Sequence, residues 1–210
     1  MDYQQDLGQV TVYNEYSIGD VINFAGSNWY VIKNSTAEED YVTVMKERVL
    51  TNSELGDYAC DSGYDTMIYH ESSNIYSTSK IKEMLENRYL SMLGESNLKE
   101  INGYKIRLIT LEELQDNLGV SRTIHDSWYT FSSEDTPLWV DNNFGEGQNN
   151  VRGYWTMTPY ANDSRYALNV KNFGGRTYTS GVHYWHAGTV ESDKYNGVRP
   201  VINLLKSAIE

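Results

Sequence analysis

Apolar residues that favour strands open the ordered part of this chain. Val21, Ile22 and Phe24 lead into Gly26-Ser27-Asn28, a turn signal, and Trp29-Tyr30-Val31-Ile32 comes next. A polar stretch from Asn34 to Asp40 separates that run from Tyr41-Val42-Thr43-Val44-Met45. Residues 10–50 therefore predict a three-stranded antiparallel meander. Residues 56–73, rich in Asp, Ser, Gly and Tyr, predict a loop.

The period then changes. Ile81, Met84, Leu85, Tyr89 and Met92 recur at helical spacing and predict a helix over residues 79–93. Ser77-Thr78-Ser79 offers its N-cap and Gly94 its stop. A short strand over 104–109 feeds a second helix. Its start is a capping box, Thr110-Leu111-Glu112-Glu113, and Gly119 is its expected end. Both helices read as packing elements. Residues 121–150 form a long polar stretch, the kind of segment that is functional or loosely ordered in a compact domain.

Strand patterning returns at Tyr154-Trp155-Thr156-Met157-Thr158, closed by Pro159. Short strands are expected at 166–170, 176–179 and 182–185, with Gly174-Gly175 and Gly181 at the turns. The chain closes on Gly197-Val198-Arg199-Pro200-Val201-Ile202-Asn203-Leu204-Leu205. The expected class is α+β: an exposed tail over 1–9, then one domain over 10–210. Arg199 is a charge inside an apolar strand. It is expected to be buried and paired, with a carboxylate or with backbone carbonyls.

Composition narrows the functional classes. The 210 residues include 17 basic and 29 acidic side chains, a formal charge of −12. That sign disfavours nucleic acid and anionic membrane surfaces as partners. No uncharged apolar run reaches the roughly 18 residues a bilayer span needs. A single cysteine, Cys60, excludes an intrachain disulfide and a multi-cysteine metal site. There are 18 Tyr and 5 Trp against 4 Phe, and that excess fits either a contact surface or half-buried rings on sheets.

Candidate chemistry is thin. Cys60 sits between Asp57 and Asp61, carboxylates that suppress a thiolate. His183 and His186 stand three apart without a convergent third ligand, so no metal is expected. The acidic loops at Asp57/Asp61/Asp65 and 141–146 do not match the EF-hand pattern. Gly145-x-Gly147 lacks the glycine and lysine of a phosphate loop. No cofactor is expected. Residues 160–195 mix Tyr, Trp, His, Arg and Lys with Asn, Ser and Gly, too polar for a core and too aromatic for a solvated loop. That mixture is typical of adaptable contact surfaces.

The ending, Tyr154-Trp155-Thr156-Met157-Thr158-Pro159 and then Gly197-Val198-Arg199-Pro200-Val201-Ile202-Asn203-Leu204, resembles the close of a C-type-lectin-like fold. It is similar to bacterial surface and pilin-like proteins with that ending. Tyr16 to Asp20, Trp29 to Ile32, Ser79 to Leu90 and Ile106 to Leu114 resemble the opening hairpin, helix and subsequent segment of that family. The ending also resembles variable proteins of diversity-generating retroelements, which display a diversified ligand-binding segment on such a scaffold. The resemblance and the composition together imply ligand-binding positions at Tyr166, Asn169, Lys171, Arg176, Tyr178, Ser180, His183, Tyr184, Trp185, His186 and Tyr195.

Two departures limit what is carried over. The formylglycine-generating enzyme shares the broader fold but needs a cysteine pair. Calcium-dependent sugar-binding lectins carry Glu-Pro-Asn and Trp-Asn-Asp, and neither occurs here. The expectation is a non-catalytic ligand-binding or surface-display protein, extracellular or at the cell surface, exported by a segment outside this chain. Its partner would be a protein or glycan, and assembly would run through that missing segment. The alternatives are a structural pilin-like subunit and an enzyme of the formylglycine-generating type.

Overall fold

The computed structural model describes residues 11–60, 65–70, 72–116, 121–122, 129–130, 151, 153–159, 166–173, 176–183 and 196–209. Its strands in chain order begin with β1 (Val21–Phe24), β2 (Ser27–Val31), β3 (Tyr41–Lys46), β4 (Ile106–Arg107), β5 (Ser121–Arg122) and β6 (Tyr129–Thr130). They continue with β7 (Gly153–Pro159), β8 (Tyr166–Phe173), β9 (Arg176–His183), β10 (Asn196–Gly197) and β11 (Val201–Leu205). The helices are α1 (Asn52–Leu55), α2 (Lys80–Met84), α3 (Leu90–Leu93) and α4 (Leu111–Asp116). The class is α+β, as expected.

The predicted meander is present, with one shift. Its first turn is Ala25-Gly26, both at positive φ (49° and 72°), so Phe24 pairs with Ser27. Ser27 and Asn28 belong to β2 instead of the turn. A two-residue loop with both residues left-handed matches the right-handed twist of the flanking strands, which fixes this tighter register.

The C-terminal strand enters the middle of the first sheet. Strand order is β1-β2-β3-β11-β4, antiparallel throughout, with Val201 opposite Met45 and Leu205 opposite Tyr41. Inside it the Thr43 hydroxyl donates to Asn203 Oδ1 at 3.0 Å, so two buried polar groups satisfy each other. The second sheet runs β10-β7-β8-β9-β6-β5 and is antiparallel except for the β10–β7 pair.

The expected helix over 79–93 is interrupted. Between α2 and α3 lies a π turn, Leu85–Tyr89. Ser79 Oγ accepts from the Lys82 N–H at 3.0 Å and caps the start, and Gly94 (φ 75°) ends it. One extra residue in the π turn rotates the helical residues after it. Leu93 is therefore buried, and Met92, predicted to face the core, is 53% exposed.

Apolar side chains cover both faces of the first sheet. Trp29, Val31, Val42 and Val44 join Ile81, Met84, Leu85 and Trp155 in one cluster. Ile32, Met45 and Val201 join Tyr154 and Val170 in the other. Adjacent residues of β7 thus serve different clusters, as strand alternation requires. Much of the aromatic excess is spent here: Trp29, Trp155, Tyr69, Tyr76, Tyr89 and Tyr154 are all buried. Each indole finds a carbonyl, Trp29 Nε1 donating to Phe24 and Trp155 Nε1 to Met67, both at 3.0 Å. Met67 and Tyr69, inside the segment expected to be a loop, are fully buried core residues.

Arg199 is buried as expected. Its Nε donates to the Lys46 carbonyl at 2.6 Å, and its guanidinium lies 5.2 Å from the Tyr154 ring centre and 5.9 Å from that of Tyr30. Burial pushes the Tyr154 phenol up to about 12, while Arg199 beside it pulls the other way.

Candidate functional site

The longest paired strands in the molecule's described part are β8 and β9, eight residues each. Their register sets Ala167 opposite Val182, Asn169 opposite Ser180, Lys171 opposite Tyr178 and Phe173 opposite Arg176. Directly opposed residues share a face, and alternate residues along a strand do too. Five expected contact positions, Asn169, Lys171, Arg176, Tyr178 and Ser180, therefore fall on one face of the hairpin. Tyr166 and His183 oppose each other on the other face.

Three expectations need correction or limits. Gly181 is not a turn: it sits within β9 opposite Leu168, so the two short strands predicted there are one. The cross-strand ladder from β8 holds it extended. Asn169 is not an exposed contact residue. It is fully buried, and its Nδ2 donates to Asn196 Oδ1 at 2.7 Å, joining β8 to the start of β10. Tyr184, Trp185, His186 and Tyr195 lie outside the described residues, as do Gly119, the tail over 1–9 and most of 121–150.

The inner end of the hairpin is held firmly. Ala167, Leu168, Asn169 and Val170 are all buried, and β7 pairs along β8 with Trp155 opposite Asn169 and Tyr154 opposite Val170. Asn74 Nδ2 donates to the Tyr166 carbonyl at 3.0 Å, and Tyr166 itself is half-buried. Rigid strands of this kind position side chains better than loops do.

Of the acids expected in the loop around Cys60, Asp65 acts as a cap. Asp65 is buried, and its Oδ1 accepts from the Asn52 N–H at 2.5 Å, at the first turn of α1. Thr51 and Glu54 add a reciprocal capping box. At the other end of α1, Arg88 donates to the carbonyls of Glu54 (2.7 Å) and Ser53 (3.0 Å). Gly56, at φ 59°, leaves room for it: a Cβ there would stand 2.6 Å from the guanidinium carbon. Among the described residues no three His, Cys, Asp or Glu side chains group as a metal site would need.

One concave feature was not legible as a site. A groove of about 430 Å³ runs between α4 and the turn before β4. Ile101, Tyr104 and Met157 form apolar lining, and Lys33, Arg107, Glu112, Glu113 and Asp116 supply charge. The capping box read from Thr110 to Glu113 is present, with both reciprocal bonds at 3.0 Å. Glu113 also accepts a two-pronged pair from Arg107, at 2.7 and 2.5 Å. Burial pushes the Glu113 carboxyl up, but the Arg107 and Thr110 bonds outweigh it and hold the carboxyl below its ordinary value.

No protein family matches the chain, and no characterised protein or solved structure does either.

Proposed function

We propose that this chain is a non-catalytic ligand-binding or surface-display protein, with a C-type-lectin-like scaffold. Its contact face is the outer part of β8 and β9 together with the segment that continues to Tyr195. Lys171, Arg176, Tyr178 and Ser180 form the strand-borne part of that face; Tyr166 and His183, on the opposite face of the hairpin, and Tyr184, Trp185, His186 and Tyr195 are the further proposed ligand-binding positions. In this reading the protein works outside the cell or at its surface, the ligand is a protein or glycan, and a retroelement diversifies the face.

What supports the reading is the register of the hairpin. It puts Lys171 beside Tyr178 and Phe173 beside Arg176, while Ala167 to Val170 of β8 are buried in the core. A rigid base that carries a Tyr- and Arg-bearing face is the arrangement a contact surface needs, because little conformational entropy is lost on binding. Asn169 takes the role of an anchor in this reading, since its amide ties β8 to β10.

The test is a glycan and protein array probed with the chain and with a variant carrying Tyr178→Ser, Tyr184→Ser and Trp185→Ser. A contact aromatic contributes about 2 kcal/mol or more to binding, so the variant should lose capture while its melting temperature stays close to that of the parent. A variant that unfolds or aggregates would place those aromatics in the core and overturn the reading.

A further inference from the structure

The chain holds two Asn-Gly pairs, Asn102-Gly103 and Asn196-Gly197, and the fold treats them differently. Asn102 and Gly103 form the two-residue turn between Ile101 and Tyr104, which exchange both backbone bonds at 3.0 Å. Both turn residues are exposed and left-handed, at φ 53° and 80°. Neither the Asn102 side-chain amide nor the Gly103 N–H has a hydrogen-bond partner among the described residues. A Cβ placed on Gly103 would meet nothing within 4 Å, so the space beside the pair is open to water.

Asn196-Gly197 is the opposite case. Asn196 is buried, its Oδ1 accepts from Asn169 Nδ2 at 2.7 Å, and both residues pair with β7. A Cβ on Gly197 would stand 2.7 Å from the Val49 side chain.

An asparagine followed by glycine carries two reactants in one dipeptide: a carboxamide carbon, and a backbone nitrogen with no β-carbon beside it. Their place in the same chain gives them a high effective concentration. Ring closure requires the Asn102–Gly103 peptide to rotate out of its turn conformation. A single pair of backbone bonds holds that turn at an exposed tip, where local opening costs least.

We propose that Asn102 is a self-modification site, converted by water to aspartate and isoaspartate through the Gly103 nitrogen. That nitrogen gives up its proton to solvent base and bonds to Asn102 Cγ. The Cγ–Nδ2 bond breaks, ammonia leaves, and a cyclic imide remains. Water then opens the imide at either carbonyl. One opening restores the main chain with an aspartate, and the other routes the main chain through the side-chain carbon as isoaspartate. One water is consumed and one ammonia released, with no oxidant or cofactor. The aspartate form can keep the turn. The isoaspartate form carries an extra methylene in the main chain, so Ile101 and Tyr104 lose their paired bonds. Tyr104, whose ring lies 6.0 Å from that of buried Tyr76, is loosened with them. Ammonia is lost to bulk water, so the change is one-way and accumulates with the age of each molecule.

The test holds the full chain at neutral and mildly alkaline pH, in ordinary and heavy-oxygen water, and maps its peptides by mass spectrometry. A synthetic peptide spanning residues 99–107 serves as the unfolded reference. The Asn102 peptide should gain one mass unit in ordinary water and three in heavy-oxygen water, split into aspartate and isoaspartate forms, and react faster at the higher pH. It should convert at least about tenfold faster than the Asn196 peptide, whose strand must open first. Asn102→Gln should abolish the signal with the melting temperature nearly unchanged. Hydrogen exchange at the Tyr104 amide should lose protection in the isoaspartate fraction and keep it in the aspartate fraction. An Asn102 that stays intact while the reference peptide converts would overturn the proposal. So would conversion at Asn196 as fast as at Asn102, a signal that survives Asn102→Gln, or equal Tyr104 protection in the two fractions.

Discussion

Lys206 and Thr36 are joined by a partly buried hydrogen bond: the ammonium Nζ donates to the Thr36 carbonyl at 2.6 Å. Lys206 is fully buried, and the rings of Tyr13 and Tyr16 lie over it at 6.0 and 5.8 Å. The ammonium links the turn just after β11 to the β2–β3 connection through Thr36 and to the segment that precedes β1 through the two rings. Backbone bonds from Tyr13 to Ala37 (3.0 Å) and between Tyr16 and Ser35 run beside it. Lys206→Ala should cost about 2 to 3 kcal/mol, the worth of a charged hydrogen bond and its packing. Hydrogen exchange should show the Tyr13 and Tyr16 amides losing protection before those of β3. Unchanged exchange at both amides would show that Lys206 does not hold this segment.

Arg199→Ala should cost on the order of 3 kcal/mol, because it strands the Lys46 carbonyl and opens a void between Tyr30 and Tyr154. Arg199→Lys should recover only part of that, since a lysine lacks the planar group that stacks on the rings. Urea denaturation midpoints of the two variants check both statements.

The Arg107–Glu113 pair predicts an acid limb. The folded Glu113 carboxyl lies below its ordinary 4.5, so folding favours its charged form. That contribution is complete above the ordinary value and is lost as pH falls through the lower folded one. Glu113→Gln should therefore destabilise the protein by about 1 to 3 kcal/mol at pH 7, where both groups are mostly buried. The gap to the parent should shrink progressively below pH 4.5. A gap that is constant with pH would mean the charge on Glu113 contributes nothing.

Ala25 occupies left-handed backbone at φ 49°, a conformation that costs an L-residue about 1 kcal/mol or more relative to glycine. Ala25→Gly or Ala25→Asn should raise stability by about 0.5 to 1 kcal/mol, since either suits the first position of this turn. Thermal melts of the two variants check it, and a lower melting temperature for both would show that the turn differs in solution.

Features set by residues close in sequence were legible before any coordinates. The Ser79 cap and the Thr110–Glu113 box depend on hydrogen bonds between residues three apart, and the Gly94 stop on glycine's tolerance of a positive φ, so type and spacing determine them. The meander was legible because β-branched and aromatic runs alternate with turn residues, and Arg199 because a charge in an apolar strand must be buried with partners. What tertiary structure decided are contacts between distant residues. The C-terminal strand sits beside β3 through pairs such as Thr43 and Asn203, which lie 160 residues apart. The π turn redirected Met92 and Leu93, a shift of one residue that no propensity marks. Six of the tyrosines and tryptophans became core, and Asn169 became an anchor to Asn196, because burial belongs to the packed assembly and not to a residue type. Gly181 was drawn into β9 by its partner strand, and the groove beside α4 exists only where the turn before β4, α4 and β7 meet.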